Sequence, residues 1–405
     1  MFCKKWLLLG ASTLLFTTTY SAAESLEDAV KNGNTKIDLR FRYEHVDQDA
    51  PIDKDANAIT LRSRISYSTA AYKGFTAFGE LDNVTAFDSN EYNSTVNGNT
   101  IKATVADPDG TELNQAWLSY TLNETQIKYG RQRINLDNQR FVGGVGFRQN
   151  EQTYDALSIS NTKIADTKFF YARVNNVNRI FGEDSLAGDH DSRTDLVNIN
   201  YSGLQFANIT AYAYLIENNS FARFSTDTYG IRLNGKVKGD DVTVGYTLEF
   251  ASQEDADNNS TSYNADYLLA ETSVSISNIT AKLGYEVLGS DDGDAAFITP
   301  LATLHKFQGW TDQFLATPAE GIEDLYLSIG GKISGVKLLA VYHEFTADEN
   351  HSNGTNDLGD EWGLLAAKKF GPYGLSVKYA NYSAGNSVFG KSNTEKLWLT
   401  ATVVF

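Results

Sequence analysis

The sequence predicts an all-β fold: a transmembrane antiparallel β-barrel of about 18 strands, with about 16 also compatible. Three observations predict it. Long segments alternate between apolar and polar side chains, long and short connections alternate between those segments, and the chain begins with the pattern of an export signal. Each observation alone has another explanation, but together they are typical of a barrel with long extracellular loops and short periplasmic turns.

The alternation has a period of two residues and extends over unusually long segments. In 242–250, apolar side chains alternate with Thr243, Gly245, Thr247 and Glu249. The same pattern occurs at 37–44, 279–287 and 397–405. A tilted membrane strand needs about 9–11 residues, whereas most soluble strands are shorter. Candidate strands begin near residues 35, 58, 74, 112, 124, 152, 166, 194, 204, 227, 241, 264, 278, 323, 335, 360, 373 and 395.

The connections between the segments are of two kinds. The short ones lie at 72–74, 121–124, 238–240, 277–278 and 371–372. The long polar ones lie at 87–111, 135–151, 178–192, 253–262, 290–321 and 346–358. Short turns at one rim and long loops at the other distinguish a barrel from the alternative, a soluble β-sandwich.

Residues 1–23 have the features of a secretory signal peptide. Lys4 and Lys5 precede a short apolar run at 6–16, and 21–23 offer small residues at a cleavage site. The run is too short to span a bilayer, although a buried N-terminal helix is an alternative. Cleavage after Ala23 would leave 24–405 as the barrel domain. No later segment approaches the 18 or so consecutive apolar residues that a transmembrane helix requires.

Charge and composition exclude several classes of function. Without Lys4 and Lys5, 32 basic residues face 51 acidic ones, a formal charge of −19, which argues against a nucleic-acid partner. The single cysteine, Cys3, lies in the predicted signal, so the barrel domain has no thiol. We expect no cofactor and no metal site. The five histidines form no zinc motif, no nucleophile elbow is present, and the acidic loop clusters at 255–258 and 291–294 are interpreted as solvated.

Three segments resemble the alginate-export-type family of bacterial outer-membrane porins. The first is 130–143, with the sequence GRQRINLDNQRFVG, which continues to FRQN at 147–150. The others are DPDGTELNQA at 107–116 and FITPLATLHKF at 297–307. The resemblance implies a passive conduit in the outer membrane of a Gram-negative bacterium, with alginate secretion in some members.

Charged side chains at inward-facing positions are the candidate site residues. A charge that faces lipid at mid-depth costs about 2–4 kcal/mol, so these side chains should point into the lumen. The predicted pore-lining or constricting residues are Arg40, Arg42, Arg62, Arg64, Arg131, Arg133, Arg140, Arg148, Glu80, Asp82, Glu249 and Glu286. An acidic wall opposite a basic wall would create a transverse field across the pore. The alternative is that these charges pair and brace the interior.

Two loops decide how open the lumen is. We expect the loop at 135–151 to fold inward and to narrow the pore with Arg140 or Arg148. The loop at 290–321 is unusually apolar because it contains Phe307, Trp310 and Phe314. For this loop, packing onto the rim is favoured over insertion into the mouth.

The preferred function is an outer-membrane porin for passive diffusion of small hydrophilic solutes. The alternative is a selective channel for anionic or acidic saccharides. An outer-membrane enzyme lacks a proposed nucleophile and base, whereas an adhesin remains compatible with the long loops. Expected partners are outer-membrane lipid, lipopolysaccharide and the barrel-assembly machinery, which would recognise the last strand ending in Phe405. The sequence leaves the oligomeric state open.

Overall fold

The computed structural model describes residues 23–49, 51–52 and 54–405. All but the last residue of the predicted signal peptide lies outside the described residues, so the signal stays a prediction. The described chain forms one closed, 18-stranded antiparallel β-barrel, which confirms the predicted fold class.

Every strand of the barrel pairs with its two neighbours along the chain, and the first strand pairs with the last. The first nine strands are β1 Asn34–Gln48, β2 Ala56–Ser68, β3 Phe75–Ala86, β4 Gly110–Leu122, β5 Thr125–Gln132, β6 Thr153–Asn161, β7 Thr167–Asn178, β8 Asp189–Tyr201 and β9 Asn208–Ile216. The other nine are β10 Thr226–Lys238, β11 Val242–Asp255, β12 Asn264–Ile276, β13 Ile279–Leu288, β14 Ile322–Ile333, β15 Val336–Thr346, β16 Asp357–Phe370, β17 Tyr373–Ala384 and β18 Thr394–Val404. Closure removes the free edges that a sheet in lipid could not satisfy.

Helical structure in the described part of the chain consists of short pieces. One α-helix, α1 (Leu26–Lys31), precedes the barrel, and Ser25 caps its N-terminus. Four 3₁₀ turns lie in connections, at Ser89–Glu91, Ala222–Phe224, Leu304–Lys306 and Ser387–Phe389, and a two-residue ladder joins Ser290–Asp291 to Ala295–Ala296. Among the residues that the structure describes, no helix is long and apolar enough to cross a membrane.

The outer face of the barrel is a continuous apolar belt. Exposed leucines and isoleucines occupy alternate positions of successive strands, for example Ile65 on β2, Leu248 on β11 and Leu364 on β16. Aromatic residues flank the belt at the short turns, where Phe75 packs on Tyr120 with 4.7 Å between ring centroids. This is the arrangement of apolar band and aromatic girdle that a lipid bilayer selects.

Most predicted strands begin within two residues of the observed ones, and three do not. β8 begins at residue 189 rather than 194. A bulge between Val174 and Asn176 on β7 allows the polar residues at the start of β8 to pair with β7. β9 begins at 208 rather than 204, because 204–206 still belong to the turn. β16 begins at 357 rather than 360, beside a register shift at Phe345 and Thr346. In each case local irregularity overrides the period-two pattern.

A charge placed in the apolar belt should destabilise the barrel. Leu248→Arg puts a guanidinium against lipid near mid-strand, so we expect a loss of about 2–4 kcal/mol in the free energy of unfolding. Urea denaturation in lipid vesicles would measure it. Asn234→Arg is the matched control, because Asn234 lines a polar cavity inside the barrel. Equal stability of the two variants would contradict the outward assignment of Leu248.

Candidate functional site

Residues 133–152, which connect β5 to β6 and are called loop A here, fold into the lumen. Two wall arginines on β1 hold the loop by its main chain. The Arg40 Nη1 donates to the Gly146 carbonyl oxygen at 2.9 Å, and its Nε donates to the Gln149 Oε1 at 2.8 Å. The Arg42 Nη1 donates to the Phe147 carbonyl oxygen at 2.7 Å. The predicted inward fold of this loop is therefore confirmed.

Arg140 and Arg148, which were predicted to narrow the pore, anchor loop A to the wall. The Arg140 Nε lies 2.7 Å from Glu286 Oε1 on β13, and Arg140 is only 1% exposed. The Arg148 Nη2 lies 3.0 Å from Glu44 Oε1 on β1, and Arg148 is 5% exposed. Both guanidiniums are paired and almost fully buried, so they fix the path of loop A. That the pore is narrowest at one of them stays a prediction.

Arg148 illustrates how the site keeps a buried cation charged. Burial opposes the charge, but the carboxylates of Glu44, Asp107 and Asp312 outweigh it and raise the pKa of Arg148. Asp107 comes from the loop between β3 and β4, and its Oδ1 also accepts a hydrogen bond from the Gln149 main-chain nitrogen at 2.7 Å. Loop A is thus held by charges and main-chain hydrogen bonds together.

Residues 289–321, which connect β13 to β14 and are called loop B, also enter the barrel and pair with loop A. The Gly143 nitrogen donates to the Leu301 carbonyl oxygen at 2.9 Å, and the Thr303 nitrogen donates to the Gln139 carbonyl oxygen at 3.0 Å. A Cβ at Gly143 would lie only 2.3 Å from Thr303 Oγ1. Glycine is therefore required here for close approach of the two loops.

Loop B packs against the inner wall, so the predicted packing onto the rim is wrong. The Thr311 nitrogen donates to Glu361 Oε2 on β16 at 3.0 Å, and the Trp310 nitrogen donates to the other carboxylate oxygen. Trp310 occupies the space above Gly363, where a Cβ would lie 2.7 Å from its ring. Of the apolar side chains of loop B, Phe314 is buried inside the lumen, and Phe307 and Trp310 are partly buried there.

Apolar packing between the loops and the wall completes the insertion. The Phe141 ring of loop A lies 5.2 Å from the rings of both Tyr212 and Tyr267, and 5.9 Å from Phe297 of loop B. Phe314 of loop B lies 4.8 Å from the Phe345 ring on β15. The lumen therefore has an aromatic core in addition to its polar network.

The predicted acidic residues lie beside cations rather than across the pore from them. Arg64 on β2 forms a bidentate pair with Asp82 on β3, each bond 2.5 Å long. Glu80 lies 3.3 Å from Arg133, and Arg64 lies 3.0 Å from Glu151 of loop A. The two acidic residues on β3 therefore share one wall with the arginines, which contradicts an acidic wall facing a basic wall at this position.

The other predicted charges follow the same rule of local pairing. Glu249 on β11 pairs with Arg232 on β10 and accepts a hydrogen bond from the Tyr212 hydroxyl at 3.0 Å. Arg62 pairs with Asp38 at 2.6 Å across β1 and β2. Arg131 pairs with Asp155 at 2.9 Å. The interpretation in which charges pair and brace the interior is the one these distances support.

Accessibility separates two of the predicted residues from the rest. The side chains of Arg131 and Arg133 are 23% and 34% exposed, whereas those of Arg62 and Arg64 are at most 10% exposed. Arg131 pairs with Asp155 on the face of β5 and β6 that carries the exposed Tyr129 and Leu157, so the prediction that it points into the lumen is wrong. Arg133, at the start of loop A, is the predicted arginine most accessible to a solute in the lumen.

A second cluster, missed by the sequence interpretation, joins loop B to β17 and β18. Lys378 lies 4.0 Å above the Trp310 ring and donates to His305 Nε2 at 2.6 Å. Burial, against the opposing charge of Asp312, lowers the pKa of His305 to about 3, so the ring is neutral and its Nδ1 donates to Asp312 at 2.6 Å. Lys396 also binds Asp312, at 2.9 Å. The alternation of β18 already placed Lys396 inward, but nothing local indicated its partner.

Within 23–49, 51–52 and 54–405, no group of three histidine, cysteine, aspartate or glutamate side chains has the arrangement of a metal site.

Breaking the Arg140–Glu286 pair should loosen both inserted loops. Arg140→Met leaves Glu286 buried without its cation, and such a loss costs about 3–5 kcal/mol. We expect a larger and noisier single-channel current, because loop A loses its contact with β13. The control is Arg193→Met, since Arg193 is an exposed arginine 3.9 Å from Glu217. An Arg140→Met channel with unchanged conductance and noise would show that this pair does not hold the loops.

Solved structures of other proteins have the same fold as this chain. The solved structure of OccD3 (OpdP) from Pseudomonas aeruginosa matches with a TM-score of 0.71 and 13% identity, covering 93% of this chain and 92% of that one. OccAB4 from Acinetobacter baumannii matches with a TM-score of 0.70 and 16% identity, covering 92% and 98%. OpdK from P. aeruginosa, solved with vanillate, matches with a TM-score of 0.72 and 12% identity, covering 93% and 99%. At these identities the likeness shows the fold.

No curated protein matches the sequence. The model of the alginate export family matches residues 33–266, which is more than half of the chain and includes β1 to β11 and all of loop A. The match confirms the resemblance carried by the segments at 107–116 and 130–150. The chain is an outer-membrane β-barrel of Gram-negative type, and it belongs to the alginate export family.

Proposed function

We propose that the protein is a porin through which small hydrophilic solutes diffuse passively across the outer membrane. The observation that carries the proposal is that loops A and B narrow the lumen and leave cavities on both sides. A cavity of about 920 Å³ lies toward the short turns and is lined by polar side chains such as Thr280, Ser328 and Thr402. Cavities of about 500 and 520 Å³ lie toward the long loops.

The inserted loops support a small size limit for the solute. An 18-stranded wall alone would enclose a wide lumen, but here loops A and B bridge it from β1 to β13 and β16. A fourth cavity, of about 420 Å³ and with a polar lining, lies beside loop A and includes Asp137, Asn138 and Arg232. Solutes would pass along paired charges and hydroxyls, which favour hydrated molecules over apolar ones.

The second candidate is a channel selective for anionic or acidic saccharides. The name of the family supports it, and so does the accessible guanidinium of Arg133. Local pairing weakens it, because carboxylates accompany most of the inward cations. We propose passive diffusion with a modest anion preference as the function that fits both observations.

We also propose the steps that bring the protein to its membrane. The export signal would be removed after Ala23, and the assembly machinery would recognise β18 and the exposed terminal Phe405. The last residue is already part of the barrel, since its nitrogen donates to the Ile37 carbonyl oxygen at 2.9 Å. Outside the barrel, the apolar belt would contact lipid and the long loops lipopolysaccharide. No enzymatic activity and no cofactor form part of the proposal.

Planar-bilayer recording of the purified protein tests the porin function. We expect steady, ohmic single channels in potassium chloride, because cavities adjoin the loops on both sides. Protein denatured by heat before addition is the control. If the folded barrel inserts into the bilayer and carries no current, the lumen is plugged and the proposal fails.

The reversal potential in a salt gradient distinguishes the two candidates. Arg133→Gln should shift selectivity toward cations, since the most accessible of the predicted lumen arginines is lost. Arg193→Gln removes an exposed charge outside the lumen cavities and should leave the potential unchanged. Block by alginate oligomers at micromolar concentration would favour the saccharide channel. An unchanged reversal potential in the Arg133→Gln variant would exclude this arginine from selectivity.

A further inference from the structure

The two cavities on the long-loop side share a wall that contains two arginines from different connections. Arg179 follows β7 directly, and Arg223 lies in the 3₁₀ turn between β9 and β10. Both line the cavity of about 500 Å³ and the cavity of about 520 Å³. Neither contacts the charged residues that fix loop A to the wall, although Arg179 donates to the main chain of loop B.

These two cations differ from the paired arginines deeper in the lumen. Among the residues that the structure describes, neither guanidinium forms an ion pair with a carboxylate. The Arg179 Nη1 donates to the Pro300 carbonyl oxygen at 3.1 Å, while its Nε is buried and has no hydrogen-bond partner. Burial lowers the pKa of Arg179 from its ordinary value, which is the signature of an uncompensated buried cation. A bound anion would supply the missing charge and acceptor.

Apolar side chains lie beside the Arg223 guanidinium and line both cavities. The Arg223 guanidinium lies 4.9 Å from the centre of the Phe224 ring and 6.0 Å from that of Phe221. Leu304 and Leu315 of loop B line both cavities as well. The wall therefore combines positive charge with apolar surface, a combination that recognises an anion carried by an apolar body.

Acidic groups at the cavities leave this charge in place. Asp312 lines the larger cavity, but it is occupied by Lys396 at 2.9 Å and by His305 at 2.6 Å. Asp294 lines the smaller cavity and forms no ion pair with a described residue. It lies in the turn that joins the two halves of the two-residue ladder of loop B.

We propose that Arg179 and Arg223, with Phe221 and Phe224, form an entry subsite for small carboxylates that carry an apolar ring. The carboxylate would lie between the guanidiniums, and the ring would pack on the phenylalanines and on Leu304 or Leu315. Arg140 lines the smaller cavity and Arg148 the larger one, so a bound solute would lie next to a residue that holds loop A. The inference rests on the proposed channel function, because it names a solute class for the channel's outer mouth.

Ligand-observed NMR titration of the full-length protein in detergent tests the subsite, with benzoate as the probe. Benzoate should bind more tightly than acetate, which lacks the ring, and more tightly than benzyl alcohol, which lacks the charge. Changing Arg179 and Arg223 together to Gln should raise the dissociation constant for benzoate at least about tenfold, since charge-assisted hydrogen bonds are lost. Phe224→Ala should weaken benzoate and leave acetate unchanged.

Two controls keep the test falsifiable. Arg193→Gln removes a neighbouring exposed arginine that lines neither cavity and should not change the dissociation constant. Arg223→Gln alone should weaken benzoate even if the double variant folds poorly, because Arg223 is exposed on a surface turn. No detectable benzoate binding, equal binding of benzyl alcohol, or unchanged binding by the arginine variants would each overturn the subsite.

The outcome for the channel is measured separately. Binding that depends on the arginines, in a protein that carries no current in a bilayer, would leave the subsite standing and remove the porin function. Ohmic current without benzoate binding would support the porin function and overturn the subsite.

Discussion

The structure depends on hydrogen bonds from inward-facing wall arginines to the main chain of loop A. Arg40 and Arg42 donate to the carbonyl oxygens of Gly146 and Phe147, so side chains of the barrel fix the path of a loop. A loop inside a lumen has main-chain groups that neither a strand nor a helix satisfies. Guanidiniums satisfy several of them at once, since each carries five donors in a fixed geometry.

This interaction also resolves a conflict within the wall. Arg40 and Arg62 lie directly opposite each other on β1 and β2, an arrangement of like charges that destabilises an empty sheet. Asp38 neutralises Arg62, and loop A supplies acceptors for Arg40. Loop A therefore stabilises the wall, and the wall fixes the path of loop A. Loop B follows from the same logic, because it pairs with loop A at Gly143 and reaches the carboxylate of Glu361.

Much of the barrel could be predicted because lipid imposes one simple rule on every strand. Leu248 and Glu249 point to opposite sides for the same reason as Phe41 and Arg42, and the rule needs no knowledge of partners. The rule fails where pairing becomes irregular, as at the start of β8, whose polar residues continue beyond the apolar belt. The difference in length between the connections at the two rims likewise located the long loops. It did not indicate how far these loops enter the lumen.

The site was less predictable because its contacts join residues far apart in the chain. Arg140 meets Glu286, and Gly143 meets Thr303, across sequence separations that no local pattern encodes. Two signals were nevertheless present. Gly363 occupies an inward position on β16, where Trp310 needs space, and Glu44 continues the inward series of Arg40 and Arg42. The apolar content of loop B is compatible both with packing onto the rim and with insertion into the mouth. The sequence alone does not decide between them.

The central claim is that loop A, held by wall arginines, sets the width of the passage. The most direct measurement is the single-channel conductance and polymer-exclusion limit of a variant in which residues 136–148 are replaced by a short glycine-serine linker. The strand ladders do not include these residues, so the barrel should still close. The account predicts a larger conductance and entry of larger polymers than in the unmodified protein. The same conductance and the same exclusion limit would contradict it.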